Sequence, residues 1–97
     1  MKALGIFELQ GFVPAVAALD VMFKAADVHF ITWEKKLGGW LVQIFIQGEV
    51  SAVQAAIDAA NKNTIRKVAA SAVIPNPHPE IMKQLEISRA KYHFDFE

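Results

Sequence analysis

The chain has 97 residues, 54% of them apolar and 21% charged, with ten basic and ten acidic side chains and no cysteine. That length holds one core and not two, the balanced charge argues against a nucleic-acid binder, and the missing cysteines exclude a disulfide framework and any thiol ligand or nucleophile. The apolar share exceeds what a domain of this size covers by itself, so self-association is expected. Glu8 and Gln10 interrupt any signal-peptide core, and no stretch reaches the ~18–20 apolar residues of a membrane span, so no membrane partner is expected. A reducing cytosol is compatible with the absence of cysteine.

Ala3 to Leu9 reads as a short buried strand around Leu4, Ile6 and Phe7, ended by Gln10-Gly11. A helix is expected from Phe12 to Ala26. Pro14 suits its first turn, and Phe12, Val16, Leu19, Phe23 and Ala26 fall on one helical face. Asp20 and Lys24 stand at i,i+4 spacing as an acid–base pair. Val28 to Glu34 reads as the second strand, with Val28, Phe30 and Thr32 alternating with His29, Ile31 and Trp33, so that neither face is plainly polar.

Gly38-Gly39 supplies a turn that reaches φ > 0 without a Cβ penalty, after Glu34-Lys35-Lys36-Leu37. It leads into a third strand, Trp40 to Gln47. There Trp40, Val42, Ile44 and Ile46 point towards the helices, and Leu41, Gln43, Phe45 and Gln47 towards solvent or another subunit. Trp40 admits two readings: a cap on the core by strand parity, or an indole released from the pleat by the glycine turn. Glu49 opens a second helix whose stripe is Val50, Val53, Ile57 and Ala60, fraying at Asn61-Lys62-Asn63 or running on to Lys67. Val68 to Ile74 is the fourth strand, Pro75-Asn76-Pro77-His78-Pro79 an extended punctuation, and Glu80 to Leu85 a short helix. Tyr92 to Glu97 alternates aromatic with polar residues, as an added edge strand or a docking arm would.

The order is β-α-β-β-α-β followed by a small helix. It predicts an α+β, ferredoxin-like sandwich over residues 1–85, an antiparallel sheet with helices on one face, and then a C-terminal tail over 86–97. That layout hosts many unrelated functions. His29, His78 and His93 are scattered, with no metal-ligand spacing. Ser51, Ser71 and Ser88 lie in no nucleophile-elbow setting. Gly38-Gly39 joins two strands and does not open a helix over a phosphate. The turn Glu8-Leu9-Gln10-Gly11-Phe12 lacks the anion-binding arginine that acylphosphatase-type chemistry needs on this layout. No catalytic residue, metal or cofactor is therefore expected.

Four stretches, in order over about residues 3–80, resemble the single-domain BMC shell proteins of bacterial microcompartments. Ala3-Leu4-Gly5-Ile6-Phe7-Glu8 matches the family's opening "ALGxxE", and Ala18 to Val28 resembles "A-D-AMxKAANV". Gly48 to Ala56 resembles "GDVxAVxAA", and Val73-Ile74-Pro75-Asn76-Pro77-His78 resembles "VIPRPH". The resemblance implies a homohexameric disc in the bacterial cytoplasm. Such discs tile with one another and with other shell proteins into a sheet around metabolic enzymes. It also implies that Lys36, Leu37, Gly38 and Gly39, with Trp40 beside them, line a central pore for small metabolites. Lys24, Asp27, Asn76 and His78 would then lie at the hexamer edge.

The chain departs from the pattern at Asp27, where the family has asparagine, and at Asn76, where it has an arginine that reaches into the next disc. Its loop is one residue longer and carries Trp40 where glycine is common. The first two departures bear on tiling, the third on the pore. The residues after Leu85 match nothing in the pattern. Two other readings remain open at this point: a ligand-sensing ferredoxin-like regulatory module, and an accessory BMC protein that tiles poorly.

Overall fold

The computed structural model describes residues 2–64 and 67–91. Strands β1 (Ala3–Gln10), β2 (His29–Lys36), β3 (Leu41–Gly48) and β4 (Val68–Ile74) form one sheet in the order β2-β3-β1-β4, with each neighbouring pair antiparallel. Helices α1 (Phe12–Ala25) and α2 (Val50–Lys62) cover one face. Helix α3 (Pro79–Lys91) covers the other, so the third helix does not share the face of the first two. The ferredoxin-like sandwich is as the element order predicts.

Strand alternation makes the main core. Ala3, Phe7 and Leu9 of β1 and Val42, Ile44 and Ile46 of β3 are buried beneath α1 and α2. Gly5 lies among them for a steric reason: a Cβ there would come within 2.8 Å of the Ile46 and Val53 side chains, so its absence lets α2 settle onto the sheet. The buried stripe of α2 is Val53, Ala56, Ile57 and Ala60, close to expectation, although Val50 at the helix start is exposed. The helix ends at Lys62 and does not continue to Lys67.

Helix α1 departs from expectation. Ala15, Ala18 and Met22 are the residues it buries, whereas Phe12, Val16 and Phe23 stay 40%, 43% and 45% exposed. At ~100° per residue the two stripes lie about a quarter turn apart. A helix that is apolar nearly all round offers periodicity no means of choosing which face meets the sheet.

On the other face Leu4, Ile31 and Leu85 are buried, with Ile6, Phe45, Ile74 and Met82 packed against them. The Phe45 side of β3, expected to meet solvent or another subunit, is thus covered by α3. That helix begins where His78 accepts the Glu80 N–H on Nδ1 at 3.0 Å, with Pro79 in the first turn, where its missing N–H costs nothing. It extends through Lys91, past the Leu85 end expected from sequence. The strand or docking arm anticipated over Tyr92 to Glu97 lies outside the described residues.

One irregularity fixes how α3 docks. In β2, Phe30 pairs with Ile46 and Thr32 with Phe45, leaving Ile31 without a cross-strand partner. This bulge breaks the expected alternation: Phe30 and Trp33 face α1, while Ile31 and Thr32 face α3. The guanidinium of Arg89 donates through Nη1 to the carbonyls of Phe30 (2.9 Å) and Ile31 (3.0 Å). Ser88 and Thr32 hydroxyls lie 2.9 Å apart, and Ser88 also donates to Glu34 Oε2. Both carbonyls at the bulge thus accept hydrogen bonds from one side chain of α3.

Candidate functional site

The last paired residues of β2 and β3 are Lys36 and Leu41, so the connection between them is Leu37-Gly38-Gly39-Trp40. Its first three residues all have positive φ: 53° at Leu37, 66° at Gly38 and 92° at Gly39. Glycine adopts this region freely, whereas leucine is strained there by about 1–2 kcal/mol. The Leu37 side chain receives no burial in return, being 77% exposed. Trp40 then turns into helical backbone, and its N–H donates to the Leu37 carbonyl at 3.2 Å.

Trp40 is therefore not part of β3, and its indole is 57% exposed. It does not cap the core beside Val42, Ile44 and Ile46. Strand parity assumed that the pleat began at Trp40; the glycine turn uses Trp40 as its fourth residue, so the pleat begins at Leu41. The backbone at Trp40 is nonetheless anchored, because its carbonyl accepts the Gly11 N–H at 2.9 Å. That bond ties the loop to the turn between β1 and α1. Gln10, Gly11 and Pro14 there join Leu37 to Trp40 around a hollow of about 320 Å³.

Beside the loop stands an aromatic cluster that sequence reasoning missed. Phe12 meets Trp33 edge-on with centroids 5.0 Å apart, Phe30 meets Trp33 at 5.4 Å, and the Lys35 ammonium lies 5.4 Å from the centre of the Phe12 ring. Nothing local signals it, since Phe12 and Trp33 are brought together only by the β1-α1-β2 crossover. Lys36, by contrast, ends β2 and is exposed beside the loop.

Lys24, Asp27, Asn76 and His78 lie at the opposite end of the sheet, where α1 finishes and β4 runs out. Lys24 Nζ is 2.9 Å from Asp20 Oδ2, so it pairs with the carboxylate one turn back on its own helix. The hydrogen bond to Asp20, and then its charge, raise the Lys24 ammonium above the ordinary lysine range. The part of this exposed pair's contribution that depends on the Lys24 proton is present at neutral pH and is lost as pH climbs through that raised value. Asn76 and Asp27 are exposed. His78 has a structural duty as the cap of α3. Among the described residues no three His, Asp or Glu side chains converge as metal ligands, and no helix is long and apolar enough to cross a membrane.

The fold is thus a four-stranded antiparallel sheet with two crossover helices on one face and a glycine turn at one end. The BMC-domain family model matches residues 3–77, and the chain belongs to that family. It is 41% identical over 86 residues to the bacterial microcompartment shell protein PduA of Citrobacter freundii, covering 87% of this chain and 91% of the relative. It is 38% identical over 90 residues to the shell protein EutM of Salmonella typhimurium strain LT2, covering 91% and 93%. A crystal structure of a microcompartment protein from Desulfitobacterium hafniense DCB superposes with a TM-score of 0.78 at 26% identity. The match covers 91% of this chain and 48% of that one, so this chain spans about half its length.

Proposed function

We propose that this chain is a non-enzymatic shell subunit of a bacterial microcompartment. In this reading it acts in the bacterial cytoplasm as a cyclic homohexamer, alongside other shell proteins and around enclosed enzymes. The observation that carries the reading is the near end-to-end similarity to shell proteins such as PduA, at 41% identity over 86 residues. The geometry supports a pore role for the loop: a strained leucine and an indole, both solvent-facing, at a tip anchored from behind by the Gly11 bond. Strain of this kind persists where the surrounding structure enforces it and a function uses it.

In a ring with the loops innermost, Leu37 and Trp40 make a narrow apolar collar, while Gly38 and Gly39 offer backbone N–H groups. Lys36, repeated around the axis, makes one rim cationic and favours anionic or polar metabolites. The opposite end, with Lys24, Asp27, Asn76 and His78, becomes the edge between discs. Asn76 is short and uncharged where a multi-donor arginine fork would bridge discs, so tiling is weaker than in typical relatives. Light scattering should give the mass of six protomers, and electron microscopy should show Asn76→Arg forming extended sheets more readily than the native chain. A dimer that binds a metabolite at its subunit boundary would instead establish a sensory module.

A further inference from the structure

We propose that residues 92–97, the segment YHFDFE, add a fifth strand to the sheet, laid by the same protomer along the outer edge of β2. There the segment shields the Phe12, Trp33 and Phe30 cluster and guards the edge against strands of other chains. Such a strand belongs to the protomer and stands whether or not protomers form the ring.

Helix α3 delivers the chain to that edge. In the order β2-β3-β1-β4, β2 is the outermost strand on the side away from β4. Helix α3 follows β4 in the chain, yet of the strands it packs chiefly on β2. Near its end Ser88 meets Thr32 and Glu34, and Arg89 reaches the Phe30 and Ile31 carbonyls at 2.9 and 3.0 Å. Lys91, the last residue of the helix, follows two positions later, so a strand beginning at Tyr92 needs no linker to reach β2. Its six residues span about 20 Å at ~3.3 Å each, against about 26 Å for the eight of β2. The carbonyls that Arg89 takes each keep a second lone pair, which leaves them able to accept a strand N–H as well.

The segment and the edge also divide their side chains alike. Alternation sets Tyr92, Phe94 and Phe96 on one side of such a strand and His93, Asp95 and Glu97 on the other. The α1 side of β2 carries Phe30 and the half-buried Trp33, which stands edge-on to Phe12. On its α3 side Glu34 is held by Ser88, and the cations are Arg89 and, by alternation, Lys36. Aromatic residues beside aromatic residues therefore place both carboxylates of the segment on the side that carries these cations. Turned over, the same strand would set those carboxylates against Phe12, Phe30 and Trp33, where they lose water and gain no partner. Phe94 is near the middle of the segment, so it lies beside the cluster whichever way the strand runs. The edge itself calls for cover: from His29 to Trp33 it reads HFITW, β-branched and aromatic with no lysine, acid or proline, the composition that recruits foreign strands.

Hydrogen exchange read by mass spectrometry tests this on the full native chain. Amides of residues 92–97 should exchange about tenfold or more slowly than those of the free peptide YHFDFE. Phe94→Pro removes a donor and a ring, and Phe94→Asp removes the ring alone. Each should release the segment and quicken exchange in β2, with α2 and β4 unchanged. The chain has no cysteine, so a short bismaleimide can join Phe94→Cys to Lys35→Cys, an exposed position on the α1 side of β2. On a denaturing gel the product should run at the mass of one chain. The fifth strand is overturned if residues 92–97 exchange as fast as the free peptide, if both Phe94 variants leave β2 exchange as it was, or if no cross-linked product forms. A two-chain product beyond what Lys35→Cys gives alone would put the segment on another copy and overturns its place in the protomer.

Discussion

Helices α1 and α2 lie side by side on one sheet face and use their apolar residues in opposite ways. Helix α2 turns Val53 and Ile57 inward among alanines and leaves Gln54, Asp58 and Lys62 outside. Helix α1 turns Ala15, Ala18 and Met22 inward and leaves Phe12, Val16 and Phe23 half out. Both sit on strands that make the same demand. The difference leaves Phe12, Val16 and Phe23 largely outside the protomer core, which α1 reaches through Ala15, Ala18 and Met22 instead.

The sharpest way to break this contrast is a matched pair of truncations. Ile57→Ala removes a 3% exposed side chain and should cost ~2–5 kcal/mol in urea unfolding. Phe23→Ala should cost the isolated protomer less than ~1.5 kcal/mol, because about half of that side chain already meets water. Equal losses in protomers kept apart by dilution would place the α1 stripe in the core and end the contrast.

A second variant asks whether the α3 side of the sheet behaves as a unit of its own. Arg89→Met leaves the Phe30 and Ile31 carbonyls without that donor and should cost ~1–3 kcal/mol. Hydrogen exchange should quicken in β2 and α3 and stay unchanged in α1 and α2. Uniform acceleration would mean that the two layers open together.

The loop provides smaller effects. Trp40→Ala should alter stability by less than ~1 kcal/mol, against ~3–5 kcal/mol for a core tryptophan. Iodide should quench Trp40 fluorescence more than that of the half-buried Trp33. If the indoles line the pore, metabolite passage through Trp40→Ala shells should also be faster. Leu37→Asn should leave stability unchanged or raise it by up to ~1 kcal/mol, since asparagine tolerates the left-handed region better than leucine does. A clear loss on chemical denaturation would mean that the Leu37 side chain has a partner within the protomer.

Local chemistry was sufficient for much of this molecule. The buried strand from Ala3 to Leu9, the alternation over β3, the span Val68 to Ile74, the Gly38-Gly39 turn and most of the stripe of α2 follow from apolar runs, from periods of two and 3.6 residues and from glycine's freedom at positive φ. The element order was enough for the ferredoxin-like layout, and four motifs in register for the family. What neighbouring residues cannot specify is contact across the chain. Which face of α1 turns inward depended on the shape of the sheet beneath an evenly apolar helix. The parity of β2 depended on a bulge whose carbonyls are satisfied by Arg89, nearly sixty residues away. Trp40 left the core because the turn needed a fourth residue, secured by a hydrogen bond from Gly11. Each of these was decided by groups far apart in sequence satisfying one another's packing or hydrogen bonds, and only the assembled tertiary structure brings such groups together.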